Sequence, residues 1–308
     1  MRLSGIAAFL VALVAATSCS AHPAIPQGTV ASHLIMGGPS ECPTRITCLL
    51  GLEQVYGLHF KSFKVLDEVG PLSEAALGDG EVQVVRLDSS DPTIPKHHWV
   101  ILQDDKSFQQ AGNIIPVIRS SKATPAVEAL IDKVSSTMTQ GDLFMLDAEV
   151  GLDNETPQAA AASFVRANGL GGTAKAATLA SLTVGSAAFS ENETLADIYI
   201  DVLTGAGYVV TAKLNIGSRE TYEPELVAGQ VDLLPEYVGN YLSFLNPAIS
   251  NLPLAQSVSM LRVLLAPKAL TVLDPSSATD SDTIVVTQAT STKYHLTKIS
   301  DLGAPYPG

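Results

Sequence analysis

Three cysteines are the most reactive side chains of this 308-residue chain: Cys19, Cys42 and Cys48. Cys42 and Cys48 are close in sequence and would form a disulfide in an oxidising compartment. A metal site on this pair would need further Cys or His nearby, and only His33 and His59 are loosely close. A catalytic thiol is the other alternative. We expect the disulfide, and neither a metal nor a cofactor.

The remaining reactive residues show no pattern typical of an enzyme. The chain has no G-x-S-x-G, H-E-x-x-H or phosphate-loop motif. Its adjacent histidines, His97 and His98, precede a predicted strand, and neighbouring residues on a strand face opposite ways, which makes a poor chelate. We therefore expect a binding protein rather than an enzyme.

Polar and aromatic residues that follow predicted strands are better candidates for a site. Residues 186–190 follow a strand predicted at 182–185, and residues 236–240 follow one at 231–234. Strands and helices alternate here, which is typical of a mostly parallel sheet. Ligands of such sheets bind at the carboxyl ends of the strands.

The hydrophobic pattern predicts the elements that position these residues. Further strands are predicted at 82–87, 99–102, 113–119 and 208–214, and helices at 49–56, 73–77, 124–136, 141–149, 157–167, 190–203 and 220–228. Ser190 and Glu193 form a predicted capping box for the helix at 190–203. Residues 169–181 are rich in Gly, Ala, Thr and Ser and are predicted to be a linker.

The N-terminus has the layout of an export signal. Met1 and Arg2 precede an apolar run at 6–16, which is too short to span a bilayer. The segment 16–19, Ala-Thr-Ser-Cys, resembles a bacterial lipobox and predicts lipidation of Cys19, so that 1–21 is the signal region and 22–32 a tether. The alternative is simple secretion with cleavage near Ala21. Either places the protein outside the cytoplasm.

Composition limits the class of partner. Eighteen Lys plus Arg against 31 Asp plus Glu give a net charge of −13, without a basic cluster, so a nucleic acid is not an expected partner. Hydrophobic residues make up 46% and charged residues 16% of the chain, which is typical of a globular protein of about two domains.

Several long segments resemble one protein family. Residues 185–192, 213–219, 231–240 and 273–302 resemble the first half of the osmoprotectant (glycine betaine/choline) solute-binding proteins of ABC transporters. Residues 37–45, 56–58, 70–72, 104–106 and 113–119 resemble the second half of the same proteins. The resemblance implies a type II-like periplasmic-binding-protein fold: two α/β lobes joined by a two-stranded hinge.

The two halves occur in the reverse of the family's order, which predicts a circular permutation with 169–181 as the new joint. The permutation is feasible because domain termini often lie close together on the surface. Lobe II would combine 33–108 with 281–308, and lobe I would combine 113–170 with 178–275. A misassembled gene, or two partial domains of a tandem arrangement, is the alternative.

The resemblance also implies the ligand site. A quaternary ammonium is held by aromatic faces and a carboxylate by an arginine fork. Tyr237 matches the family's aromatic position, Asn240 a polar ligand contact, and Arg45 the arginine that reaches the carboxylate. Further predicted cleft residues are Ser89, Ser90, Asp91, Ser186, Phe189 and Tyr222. The alternatives are a core role for Tyr237, a surface pair of Arg45 with Glu41, and an ordinary turn at the serines.

The chain departs from the family at two places. Ala187 stands where many relatives have Lys, and Ala111 and Gly112 stand where a cage tyrosine is expected. The predicted function is to deliver a quaternary ammonium solute to the permease subunits of an ABC transporter, as a monomer that touches the membrane only through a lipid anchor. The alternatives are a different small polar or aromatic solute, an extracytoplasmic sensor, a rearranged non-functional product and an enzyme.

Overall fold

The computed structural model describes residues 28–109, 111–172, 180–249 and 252–308, which form two lobes, each built on a five-stranded sheet. The predicted signal region, Cys19, most of the tether and most of the linker lie outside the described residues. The two-lobed α/β architecture is the fold that the family resemblance implies.

The sheet of lobe II has the strand order β2-β1-β3-β10-β4. Its strands are β1 (Ile35–Gly38), β2 (Ser62–Val65), β3 (Val84–Asp88), β4 (Val100–Ile101) and β10 (Asp282–Val286). The helices of this lobe are α1 (Leu49–Gly51), which continues as a π-helical turn Leu52–Tyr56, α2 (Pro71–Gly78), α3 (Thr93–Lys96) and α11 (Gln288–Tyr294). Short 3₁₀ turns lie at Ala31–His33, Cys42–Thr44 and Ile299–Gly303.

The sheet of lobe I has the equivalent order β7-β6-β8-β5-β9. Its strands are β5 (Ile114–Arg119), β6 (Ser181–Gly185), β7 (Val209–Lys213), β8 (Leu233–Tyr237) and β9 (Leu270–Val272). Its helices are α4 (Pro125–Thr137), α5 (Gln140–Gly151), α6 (Pro157–Ala167), α7 (Ser190–Gly205), α8 (Arg219–Ala228), α9 (Val238–Leu245) and α10 (Leu254–Leu265), with a 3₁₀ turn at Ala266–Lys268.

One strand in each sheet runs against the other four. Strand β10 is antiparallel to β3 and β4, and β5 is antiparallel to β8 and β9. Both arrive from the opposite lobe, so each lobe completes its sheet with chain that has just crossed over. The sheets are therefore mostly parallel, as predicted, with the antiparallel strand set by the crossing.

The two crossings lie side by side. Asn113 forms an antiparallel bridge with Thr279, and Asp280 N donates to Gly112 O at 2.9 Å. A Cβ on Gly112 would lie 1.9 Å from Asp280 O, so only glycine allows this approach. This packing fixes where the two lobes meet.

The burial of a strand follows its place in the sheet: the central strands are buried and the edge strands are more exposed. All five residues of β3 and all five of β8 are buried, whereas the edge strands β2 and β7 are largely exposed or half-buried. Burial on both faces requires continuous apolar sequence. The charged exceptions are Arg86, Asp88 and Glu236, and all three lie near the gap between the lobes.

Most predicted helices and strands are confirmed within a few residues, including the start of α7 at Ser190, but the capping box predicted there is wrong. Helix α7 has Phe189 as its N-cap without a side-chain cap, so Ser190 and Glu193 form no capping box. A capping box occurs instead at Thr139 and Asp142, where α5 begins. The strands β1, β2, β9 and β10 were not predicted, because they are short and contain Gly, Ser, Lys, Thr or Asp. Among the described residues, no helix is long and apolar enough to cross a membrane.

The predicted disulfide is present between Cys42 and Cys48, whose Cα atoms are 5.1 Å apart. Both residues are buried in the core of lobe II, together with Met36, Leu52 and Leu58. The bridge therefore ties the turn after β1 to the start of α1, which positions Arg45 between the two cysteines.

Because a loop of this size restricts the unfolded chain, we expect the Cys42→Ser/Cys48→Ser variant to lose about 2 kcal/mol of unfolding free energy. Urea denaturation with and without dithiothreitol measures this. The reductant should lower the midpoint of the parent protein and leave the double variant unchanged. Equal midpoints for the oxidised parent and the double variant would contradict a stabilising role.

Candidate functional site

Three neighbouring cavities lie between the lobes. The acidic cavity has about 50 Å³ of free space and is lined by Val69, Glu74, Asp88, Ser90, Asp91, Pro92, Thr93, Asp147, Gly151, Phe189, Ser190 and Glu191. The central cavity has only about 20 Å³ and is lined by Arg45, Thr47, Glu68, Arg86, Asp88, Ala187, Phe189, Arg219, Tyr222, Tyr237, Asn240, Asp280 and Asp282.

The outer cavity has about 350 Å³ and is lined by Thr44, Arg45, Ile46, Thr47, Leu50, Gln54, Arg219, Glu220, Asn240, Ser243, Phe244 and Pro247. Asp88 and Phe189 line both the acidic and the central cavity. Arg45, Thr47, Arg219 and Asn240 line both the central and the outer cavity. The three cavities therefore succeed one another along the cleft.

Strands β3 and β10 bring three charged residues to the central cavity. Asp88 and Asp282 are direct partners in the antiparallel register, so their carboxylates would repel each other. Arg86, two residues before Asp88 on the same face, forms ion pairs with both, and it also donates a short hydrogen bond to Asp282 Oδ1. This single guanidinium stabilises two buried carboxylates.

The loop after β3 and the start of α7 join the lobes through Glu191. Ser90 Oγ of lobe II lies 2.8 Å from Glu191 Oε2 and 3.1 Å from Asp280 Oδ1. The hydroxyl of Tyr237 donates a short hydrogen bond to Glu191 Oε1. Asn240 Nδ2 makes a longer contact of 3.4 Å to Asp282 Oδ1 across the same gap. The contacts at Ser90 and Asn240 cross between the lobes.

Glu236, at the end of β8, organises the lobe I wall. Arg219 donates to both of its carboxylate oxygens at 2.8 Å, in bidentate geometry, and Tyr222 OH donates to Oε1 at 2.8 Å. The Arg219 guanidinium also lies over the rings of Tyr241 and Phe244, 5.9 Å from each centroid. Arg219 and Tyr222 are therefore held in place by their own lobe.

Arg45 is surrounded by carboxylates from both lobes. It forms ion pairs with Glu41 and Glu68 of lobe II at 3.3 and 2.9 Å, and with Glu220 of lobe I at 2.8 Å. Burial opposes ionisation of Glu220, but the hydrogen bond from Arg45 lowers the pKa of Glu220 to about 2. A surface pair with Glu41 was one of the two interpretations of Arg45. The structure contains this pair, and Arg45 also joins the lobes through its ion pair with Glu220.

Four of the carboxyl groups that line the acidic or the central cavity have a raised pKa. Burial raises the pKa of Asp88, Asp147, Glu191 and Asp280. Nearby carboxylates raise the pKa of Asp88, Asp147 and Glu191 further. Arg86 lowers the pKa of Asp88 and Asp280 but does not reverse the shift. These four carboxyl groups are therefore protonated more readily than carboxyl groups in water.

The structure brings most predicted site residues together. Arg45, Phe189, Tyr222, Tyr237 and Asn240 line the central cavity, and Ser90 and Asp91 line the acidic cavity. Two predicted positions do not reach a cavity. Ser186 is buried behind the wall, where its Oγ accepts from Asn215 N, and Ser89 bonds to Asp280 Oδ1 and Ser281 N at the crossing.

Sequence reasoning missed the charged residues of the walls. These are Glu68, Glu74, Arg86, Asp88, Asp147, Glu191, Arg219, Asp280 and Asp282. The available signal was the pair of charged residues inside the apolar strand Val84–Asp88, since buried charges in a central strand occur only when they are paired. In the described part of the chain, no group of three or more His, Cys, Asp or Glu is placed to hold a metal ion.

Comparison with known proteins gives one family match that covers most of the chain. Residues 22–167 and 180–307 match the family described as the substrate-binding domain of ABC-type glycine betaine transport systems. A glycine-betaine-binding protein of Pseudomonas aeruginosa is 26% identical over 117 residues, which are 37% of this chain and 38% of that protein. The match therefore spans well under half of that relative's length.

Solved structures similar to this chain include two binding proteins. An ancestral arginine-binding protein bound to arginine has a TM-score of 0.43 and 13% identity, with 88% of this chain and 90% of that chain covered. A probable amino-acid ABC transporter extracellular-binding protein of Bacillus subtilis has a TM-score of 0.42 and 12% identity, with 87% and 88% covered.

The ligand-free protein should become more stable as the pH falls from 8 to 6. Burial, reinforced by Asp91 and Asp67, raises the pKa of Glu74 to about 7, well above the ordinary value of about 4.3. A raised pKa favours the folded state below that pH, and this contribution is lost as the pH rises through 7. We expect a rise of about 2 °C in melting temperature at pH 6.

The Glu74→Gln variant should show a smaller rise, and the exposed Glu155→Gln variant should behave like the parent protein. A melting temperature that is higher at pH 8 than at pH 6 would contradict this account of the cleft carboxyls.

Proposed function

Because this chain belongs to the family of substrate-binding domains of ABC-type glycine betaine transport systems, we propose that it captures a small solute with a positively charged nitrogen. Glycine betaine, choline and similar quaternary ammonium compounds belong to this class. The solute lies between the lobes and is passed to the permease subunits of an ABC transporter. The observation that supports this most strongly is the charge of the cleft.

Eight acidic residues but only three arginines line the acidic and central cavities. The arginines are already paired with carboxylates, as described for Arg45, Arg86 and Arg219. A cation that enters the cleft therefore meets more carboxyl than guanidinium groups, and it would favour the ionised form of those carboxyl groups whose pKa burial has raised. An anionic solute would be repelled.

Phe189 and Tyr237 add aromatic surface for a cation. Their ring centroids are 6.1 Å apart with 30° between the ring planes, and both residues line the central cavity. A cationic nitrogen near such faces is attracted by the ring quadrupole. Phe189 is half-buried and borders the acidic cavity as well.

The contacts across the cleft suit capture by lobe closure. Arg45 with Glu220, Ser90 with Glu191 and Asn240 with Asp282 each join one lobe to the other. The two crossings are the only covalent links between the lobes within the described residues, so the lobes can rotate about them. Closure would remove water from the solute and hold it for delivery.

We propose that the chain is a circular permutant of its family. Two features support this: the family match falls into two blocks on either side of 168–179, and the described ends of the chain lie side by side. Val30 N donates to Ala304 O at 2.9 Å, and Tyr306 N donates to Gly28 O at 3.0 Å. A continuous chain opened at this place would leave its new ends in contact.

The cellular setting is also a proposal. We propose that the protein works outside the cytoplasm as a monomer, with Cys19 as the lipid attachment point. The disulfide between Cys42 and Cys48 supports an oxidising compartment. Membership of a solute-binding family supports a binding role rather than catalysis.

A larger or aromatic solute is the second candidate, because of the outer cavity. With about 350 Å³, this cavity has far more free space than the central one, and Ile46, Leu50, Phe244 and Pro247 give it an apolar part. A solute with an apolar extension would fill this space beyond Arg45. Small betaines would leave it open.

We expect at least one solute of a panel to raise the melting temperature: glycine betaine, choline, carnitine, proline betaine or ectoine. A ligand that binds only the folded state must stabilise it by mass action. Replacing Phe189 by alanine should weaken binding by about three- to tenfold, the range of a cation–π contact. Titration calorimetry measures this.

The exposed Phe144→Ala variant is the matched control, because Phe144 lines none of the three cavities. If no solute of the panel shifts the melting temperature of the parent protein, the proposed function is wrong. An equal loss of affinity in both variants would remove Phe189 from the site.

Arg45 is the proposed contact of a solute carboxylate, which would exchange with one of its present carboxylate partners. The Arg45→Ala variant should lose the thermal shift with glycine betaine and keep most of the shift with choline, which has no carboxylate. The exposed Arg166→Ala variant serves as control. If the Arg45→Ala variant loses the thermal shift with both solutes to the same extent, Arg45 acts in lobe closure and does not contact the carboxylate.

A further inference from the structure

Arg45, the proposed contact of the solute carboxylate, already has three carboxylate partners within the protein. Glu220 accepts hydrogen bonds from both Nε and Nη2 of the guanidinium, at 3.2 and 2.8 Å, in bidentate geometry. Glu68 accepts from Nη1 at 2.9 Å and Glu41 from Nη2 at 3.3 Å. A solute carboxylate that binds this guanidinium through two hydrogen bonds therefore has to replace one of these partners.

Glu220 is the partner that is placed to leave. It belongs to lobe I, across the cleft, whereas Glu41 and Glu68 belong to the same lobe as Arg45. The Glu220 side chain is 42% exposed, compared with 15% for Glu41 and 16% for Glu68. Opening of the lobes would separate Glu220 from Arg45 and leave the other two ion pairs intact.

The backbone of Arg45 is anchored beside the disulfide. Arg45 N donates to Cys42 O at 3.3 Å, and Arg45 O accepts from Cys48 N at 3.1 Å. Both backbone groups of the arginine are therefore bonded to the two cysteines that the disulfide joins. When the lobes separate, the arginine stays with lobe II and Glu220 moves away with α8.

Glu220 has further support on its own helix. It is the second residue of α8, where the helix dipole favours a carboxylate. Burial opposes its ionisation, but hydrogen bonds from Arg45, from its own backbone N–H and from the Ser218 side chain lower the pKa of Glu220 to about 2. The last two contacts do not depend on Arg45. Glu220 therefore remains ionised at neutral pH, and it can release Arg45 without becoming a buried, unpaired charge.

The outer cavity provides space for an exchange of carboxylates on Arg45. Arg45 lines the central and the outer cavity, whereas Glu220 lines only the outer one of the three, which has about 350 Å³ of free space. A solute whose cationic nitrogen lies beside Phe189 and Tyr237 would approach Arg45 from the central cavity. Glu220 would then turn away into the outer cavity.

Building on the proposed function, we propose that Glu220 is an internal competitor of the solute carboxylate. It holds Arg45 and joins the lobes when the solute has no carboxylate, and a solute that has one takes its place on the guanidinium. Glu220 therefore sets the selectivity between two classes of quaternary ammonium solute. Betaines have to displace it, whereas choline binds with the ion pair between Arg45 and Glu220 intact.

Glycine betaine and choline are a matched pair for the test, because both carry a trimethylated nitrogen and only glycine betaine has a carboxylate. The Glu220→Gln variant lacks the competing charge, so its affinity for glycine betaine should rise about threefold, as expected for a partly exposed ion pair. Its affinity for choline should fall by a similar factor, because a contact between the lobes is weakened. Titration calorimetry of the full mature chain measures both affinities.

Two further variants separate the contact from a general effect of charge. Glu53→Gln is the control with matched exposure: this side chain is 40% exposed and lines none of the three cavities. It should change either affinity by less than about twofold. Glu41→Gln removes a charge from the same arginine but leaves Glu220 in place, so it should change the ratio of the two affinities less than Glu220→Gln does.

The outcomes distinguish this inference from the proposed function. An unchanged ratio in Glu220→Gln, or an equal change in Glu41→Gln, overturns the inference and leaves the proposed function intact. If only one of the two solutes binds the parent protein, its own affinity decides: a betaine affinity that does not rise, or a choline affinity that does not fall, in Glu220→Gln overturns the inference. If no solute of the panel binds the parent protein, the proposed function fails and the inference fails with it.

Discussion

Burial of unbalanced charge between the lobes is the constraint on which the rest of the cleft depends. Strand pairing places Asp88 and Asp282 opposite each other, and Arg86 is the guanidinium that ion-pairs with both. Removing charges from water is unfavourable unless opposite charges and hydrogen bonds compensate. Three arginines face eight carboxylates along the acidic and central cavities, so the compensation is partial. The proposal of a solute with a positively charged nitrogen depends on this partial compensation.

The crossings connect this charge to the relative position of the lobes. Asp280 in one crossing lies beside Gly112 in the other, and its carboxylate accepts from Ser90 N and contacts Ser89 Oγ of lobe II. Each sheet is completed by a strand that has just crossed, so a change at the crossing also moves a wall of the cleft. The contacts of Asp280 therefore join the crossing to the wall of the cleft.

Family membership defines the type of protein, whereas individual side chains of the cleft determine which solute fits. The family match covers both lobes and defines the type of protein. The solute, in contrast, is selected by a few side chains, and here Asp88 and Asp282 occupy a wall on which Phe189 and Tyr237 are the aromatic neighbours. Function depends on the site rather than the fold, so solute class must be argued from these residues.

Local patterns in the sequence were enough to predict most elements, and its longer segments were enough to predict the family. Hydrophobic periodicity located most helices and the long central strands, and Thr156 with Pro157 marked the start of α6 correctly. It also placed Arg45, Tyr237, Phe189 and Asn240 at one cleft, because the family resemblance supplies long-range pairing that periodicity cannot.

The contacts between charged side chains, in contrast, follow from the folded arrangement of distant segments. Asp88 and Asp282 are 194 positions apart, and Ser90 and Glu191 are 101 apart. Local patterns report the period of a strand or helix but not its partner, so the sequence did not reveal that β10 would pair with β3. The exclusion of a side chain at Gly112 likewise depends on a backbone oxygen from the other crossing. Electrostatic interactions act through space, and spatial proximity between distant segments exists only after the two crossings have formed.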